Sequence, residues 1–192
     1  MSDDYFLSDE EINAALEGFE RDFSGIDNFE DELAGVLGDK AKSAVLVTRL
    51  SSAQLLAAFC QLSDISATCI ASDKGAVALL RNLDGDGPEA AARDLTTVVS
   101  GLSLALAVNR ADHIEATLWA NGQKADDIAP PIMFMNAPDF VEDMMIGSTT
   151  LDALKTREDA VDSGSLDRKG ALAVIAQHTR FGRAGKGGSR VS

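Results

Sequence analysis

The sequence predicts an α+β protein with a ferredoxin-like, mostly antiparallel sheet of the split β-α-β type, N-terminal helices and a C-terminal helical extension. Strand and helix patterns alternate in the order β-α-β-β-α-β over residues 43–109, and a further strand pattern follows at 113–120. The chain of 192 residues is 45% hydrophobic and 25% charged, as in globular proteins. We therefore expect one sheet with helices on one of its faces.

Residues 1–39 are predicted to form an acidic helical arm. Ser8 and Glu11 have the spacing of a capping box, which begins a helix. Four large apolar residues then recur at helical spacing and form a stripe along that helix. This stripe packs either on the protein's own sheet or on another subunit or client. Its members are Ile12, Leu16, Phe19 and Phe23.

Residues 40–123 are predicted to form the α+β core. A serine pair, Ser51 and Ser52, precedes the first helix and is suited to cap it. Gly75 ends a tight turn between two strands, which indicates a hairpin. The predicted strands are 43–50, 65–72, 76–83, 103–109 and 113–120, and the predicted helices are 53–62 and 89–100.

Residues 124–180 are predicted to be a Met/Pro-rich loop followed by helices. Three of the four prolines and four of the five methionines lie in 124–146, where a short helix at 139–146 is expected. Further helices are predicted from Thr149 to about 161 and from Ser165 to about 179. The apolar residues of this segment either cover an open end of the core or form a partner-binding or ligand-gating lip. The candidates are Met133, Phe134, Met135, Phe140, Met144 and Met145.

Charge excludes some classes of partner. The net charge of −14, from 31 acidic and 17 basic residues, repels phosphate backbones and anionic lipid. We therefore expect neither nucleic acid, for the body of the domain, nor membrane as a partner.

The glycine-rich basic segment 181–192 is predicted to be a disordered tail.

No metal or cofactor is predicted. Cys60 and Cys69 have neither zinc-ligand spacing nor a secretory context, so we expect buried thiols in the cytoplasm. The turn that begins at Asn82 resembles half of a calcium loop, but Arg93 stands where a bidentate glutamate is required.

Catalytic motifs are also missing from the sequence. There is no nucleophile elbow. Asp112 and His113 are adjacent at a turn, but neighbouring strand residues point to opposite faces, so we expect His113 to be a surface or sheet residue. His178 is expected in the last turn of a helix, where the helix dipole favours a cation.

These patterns predict a non-enzymatic protein-interaction module, an acidic adaptor or chaperone-like protein that self-associates as a homo-oligomer. The alternative is a small-molecule binding or sensing domain with residues 130–146 as its lid. A third hypothesis is an enzyme of an unrecognised class, for which Asp112 and His113 are the candidate residues.

Overall fold

The structure is a computed structural model that describes residue 10 and residues 40–184, with side chains up to residue 179. The chain divides into two compact units, residues 1–39 and 40–192. The predicted stripe of Ile12, Leu16, Phe19 and Phe23 lies outside the described residues, as do residues 185–192.

Seven strands of the second unit form one open sheet in which every neighbouring pair is antiparallel. The strands are β1 (Ser43–Thr48), β2 (Ala67–Ile70), β3 (Val77–Leu80), β4 (Ser103–Arg110), β5 (His113–Ala120), β6 (Gln123–Ile128) and β7 (Ala160–Asp162). Their order across the sheet is β6-β5-β4-β1-β3-β2-β7. The prediction of an α+β protein with a mostly antiparallel sheet is confirmed.

Six helices accompany the sheet in the described part of the chain. They are α1 (Ala53–Leu62), α2 (Gly87–Val98), α3 (Pro130–Met135), α4 (Asp139–Met145), α5 (Leu151–Lys155) and α6 (Arg168–Ala184), with a short 3₁₀ turn at Ser163–Ser165. Ser52 caps α1 as predicted, since its side chain accepts a hydrogen bond from the Leu55 N–H at 3.2 Å. Among the described residues, no helix is long and apolar enough to cross a membrane.

The two helices within the β-α-β-β-α-β run lie on one face of the sheet, as predicted, but α3, α4 and α5 cover the other face. On one face, Ala44 and Leu46 of β1 belong to a core that includes α1 and α2. On the other face, Val45 belongs to a second core that includes α3, α4 and α5. The reason for cover on both faces is visible in β1, whose central residues 44–47 are all apolar, as in strands that are buried on both sides.

Two strands and several boundaries differ from the sequence predictions. The polar edge strand β6 was expected to be loop, because its residues 123–128 show no apolar alternation. The helix expected to run to about 161 ends at Lys155, and β7 follows it. Both edge strands form because a neighbouring strand supplies their hydrogen bonds.

The helix α6 extends to Ala184, so residues 181–184 of the predicted disordered tail are helical.

Side chains hold the short strand β7 in place. The buried Ser163 hydroxyl donates to the Ile65 carbonyl at 2.9 Å and accepts from the Ala67 N–H at 3.0 Å. Arg81 reaches across β2 to pair with Asp162 and also donates to the Thr68 hydroxyl. The Arg81 hydrogen bond, together with the charge of Arg81, lowers the pKa of Asp162 below its usual value.

We expect Asp162→Asn to lower the free energy of unfolding by about 1 kcal/mol at pH 7, since the ion pair is partly exposed to solvent. Because the folded-state pKa of Asp162 is lowered, its contribution is present above the unfolded pKa of about 3.9 and is lost as pH falls through the folded value. Urea unfolding of both proteins at pH 7 and pH 3 measures this. A difference that grows toward acid pH would contradict the assignment.

Candidate ligand-binding cleft

A cleft opens where the end of β1, the β2–β3 turn and α3 meet. It consists of two adjoining hollows with cavity volumes of about 330 and 360 Å³. Arg49, Lys74 and Asn136 line both hollows, so the two form one continuous surface. Volumes of this size are at the lower end of those found for small-molecule sites.

The first hollow is mainly apolar. It lies between α3 and the part of the sheet face that α3 leaves open. Strand alternation places Val47 of β1 and Ala105 of β4, which pair in register, on the same face. Beyond them, Leu118 and Ile128 continue this face, and Met133 of α3 forms the opposite wall.

The second hollow is mainly polar and is built around the β2–β3 turn. The Ser72 hydroxyl donates to the Gly75 carbonyl at 2.7 Å and accepts from the Lys74 N–H at 3.1 Å, which closes the turn. The Lys74 ammonium then donates to the Ala137 carbonyl at 2.9 Å and, at 3.4 Å, to that of Met135. The turn and the end of α3 are therefore tied together by Lys74.

Gly75 is required for this turn. Its φ is +122°, and a Cβ at this position would lie 2.1 Å from the Thr48 carbonyl oxygen. No side chain fits at that distance, so glycine is what allows the turn to approach β1. The position of Lys74 beside α3 depends on this close approach.

We expect Gly75→Ala to lower the free energy of unfolding by at least about 2 kcal/mol, because it adds a backbone collision to an unfavourable φ. Gly85→Ala is the matched control: its φ is +52°, and its Cβ would meet nothing within 4 Å. The control is expected to cost about 1 kcal/mol. Equal losses for the two variants in urea unfolding would show that the approach to β1 is not tight.

The net charge of the cleft lining is positive, whereas the net charge of the chain is negative. The lining of the two hollows contains Arg49, Lys74 and one acid, Asp73, whereas the chain carries −14. Arg49 is exposed and has no hydrogen bond or ion pair within the part of the chain that the structure describes. The cleft therefore offers a guanidinium that a ligand can contact without displacing a protein partner.

The structure separates the predicted partner-binding residues of segment 124–146. Met133, Met144 and Met145 are buried in the second core, and Phe134 and Phe140 are half-buried against it. Met135 is 78% exposed. The cleft brings together Met133 and Met135 only.

The remaining predicted residues of this group lie elsewhere. Met144 and Met145 line a third hollow, of about 380 Å³, where Asn109 donates to the Met145 carbonyl at 2.7 Å. The ring of Phe140 lies 5.3 Å from the Arg157 guanidinium, which is a cation–π distance.

Sequence reasoning missed the two cations of the cleft. Arg49 directly follows a buried strand in a strongly acidic chain. This position is the sequence feature that could have marked Arg49 as a candidate binding residue. Lys74 was recognised only as part of a turn, because its contact with Ala137 joins residues 63 positions apart.

The residues of the enzyme hypothesis do not form a dyad with each other. Asp112 pairs with Lys42 at 2.6 Å. His113 is an exposed residue of the sheet, as predicted, and lies 3.9 Å from Glu115. His178 is not in the last turn of its helix, because α6 continues to Ala184; its Nδ1 lies 2.8 Å from the Val174 carbonyl oxygen.

The two cysteines considered as metal ligands lie in the core, and the calcium-like turn leads into a helix. No group of three or more His, Cys, Asp or Glu residues suited to a metal ion is present in the described part of the chain. At the calcium-like turn, the Asn82 side chain accepts from the Asp84 N–H at 3.3 Å, and α2 follows. Cys60 and Cys69 are buried free thiols, as predicted; a hydrogen bond to Cys60 and burial raise the pKa of Cys69.

The separation of the methionines leads to a stability prediction. We expect Met145→Ala to cost about 2–5 kcal/mol in the free energy of unfolding, because it leaves a cavity in a fully buried site. Met135→Ala, on the exposed side of α3, is expected to change it by less than about 0.5 kcal/mol. Urea unfolding at neutral pH measures both. Similar losses for the two variants would contradict the described packing.

Comparison with known proteins gives no match: no protein-family model, no curated protein and no solved structure is significantly similar to this chain.

Proposed function

We propose that this protein is a non-enzymatic interaction module that self-associates, and that a second copy docks on the cleft beside α3. The observation that carries this proposal is a cluster of exposed apolar side chains at the cleft. Ile132, Met135 and Leu118 are 57%, 78% and 38% exposed, and all three line its hollows. Apolar side chains that cluster on a surface mark interaction sites, whereas single ones need no explanation.

Three features support docking rather than simple core coverage. Met133 packs in the second core and anchors α3 against the sheet, with the opposite side of this helix exposed. The Lys74 contacts fix the end of the same helix. Methionine adapts its shape to varied partners, which suits Met135 at the rim.

The test is the mass of the full chain in solution, measured by light scattering after size exclusion over a range of concentrations. We expect the mass to rise above 20.2 kDa with concentration. Met135→Asp should raise the dissociation constant at least tenfold, since burial of a methionine is worth about 1.5–3 kcal/mol and 1.4 kcal/mol is tenfold.

Leu172→Asp is the matched control. Leu172 is 54% exposed on α6 and lines neither hollow, and its substitution adds the same charge. It should leave the dissociation constant unchanged. A chain that stays monomeric at every concentration, or equal effects of the two substitutions, would overturn the proposal.

The second candidate function is a small-molecule binding or sensing domain. The apolar hollow favours it, because polar groups of Ser103, Asn136 and Arg49 stand around an apolar floor. The segment 130–146 would then form a wall of the site, with α3 beside the ligand. A monomeric chain whose melting temperature rises with an added small ligand, and does not rise in Met135→Asp, would favour this candidate.

We also propose that β1 to β4, with α1 and α2, form a ferredoxin-like unit. The strand order β4-β1-β3-β2 with antiparallel neighbours supports this.

A reducing compartment such as the cytoplasm is proposed from the two buried free thiols.

A further inference from the structure

We propose that the segment which the second copy inserts into the cleft is both apolar and acidic, with a carboxylate held by Arg49 and Lys74. This inference rests on the proposed self-association and names the chemistry of the docking group. It follows from the two-part construction of the cleft, in which an apolar hollow adjoins a polar one.

The apolar hollow defines one half of the occupant. Val47, Ala105 and Leu118 present a row of side chains on three neighbouring strands, and Met133 closes the opposite side. An apolar side chain suits this floor, because a polar group placed against it would lose hydrogen bonds to water without gaining a partner there. The volume of about 330 Å³ admits one large side chain with part of its backbone.

The polar hollow defines the other half. Arg49 has no partner among the described residues, and its planar guanidinium matches a carboxylate in two parallel hydrogen bonds. Lys74 is held by two carbonyl oxygens, which are neutral and leave its positive charge uncompensated. Asp73 is the single acid of this lining, so the cations outnumber it.

A second copy of the chain supplies the required chemistry. Its 31 acidic side chains make carboxylates the commonest charged groups it can present. Two chains that each carry a net charge of −14 repel each other at long range. At 0.15 M salt the screening length is about 8 Å, so the repulsion is largely screened beyond that distance. A local cationic site gives two such chains an attractive point of contact. The exposed Ile132 and Met135 at the mouth extend the contact beyond what a small ligand covers.

The first measurement uses two fluorescent probes with the same aromatic body. Anilinonaphthalene sulfonate carries an anionic group, and N-phenylnaphthylamine is its neutral counterpart. We expect the dilute, monomeric full chain to bind the sulfonate more tightly. Arg49→Gln should weaken sulfonate binding roughly fivefold, the size of an exposed ion pair, and leave the neutral probe unchanged. Arg168→Gln, which removes an exposed arginine outside the cleft, should change neither.

The second measurement is the mass of the associated chain. Arg49→Gln and Arg49→Glu should raise the dissociation constant progressively. Arg49→Lys should have an effect smaller than that of Arg49→Gln, because it keeps the charge but loses the two parallel hydrogen bonds. A charge-independent result, in which Met135→Asp disrupts association but Arg49→Glu does not, would overturn this inference and leave the proposed function standing. If the chain does not associate at any concentration, the proposed function fails. If, in addition, the two probes bind equally well, the anion-binding site formed by Arg49 and Lys74 is overturned as well.

Discussion

Burial of β1 on both faces is the constraint on which the rest of the structure depends. Ala44, Val45 and Leu46 are fully buried, and successive side chains of a strand point to opposite sides. Apolar cover must therefore be supplied above and below the sheet. The first face receives α1 and α2, which come from within the β-α-β-β-α-β run. The second face receives α3, α4 and α5, which lie after it in the sequence.

The cleft is a consequence of incomplete cover on the second face. The helices α3 and α4 are short, with six and seven residues, and a helix rises 1.5 Å per residue. They protect the centre of the sheet but leave Leu118 of β5 partly open to solvent. An apolar floor next to the fixed end of α3 is thus produced by the same packing that completes the core.

Methionine has two different uses within one short segment. Met144 and Met145 fill the second core, where an unbranched side chain adapts to the irregular space between a short helix and a sheet. Met135, at the last position of α3, faces solvent beside the cleft. This methionine-rich segment therefore covers the core with some of its side chains and exposes another to solvent. The two interpretations of this segment are not exclusive.

Local sequence patterns were sufficient for the elements near the centre of the fold. The apolar run of β1, the serine cap of α1 and the glycine turn before β3 each depend on residues close together in the chain. The edge strands β6 and β7 were missed because pairing with a neighbour, rather than their own composition, makes them strands. The cover of the second face, the exposure of Met135 and the cations of the cleft were decided by the tertiary structure. Each of these depends on contacts between distant segments, such as Lys74 with Ala137, and no local spacing records such a contact.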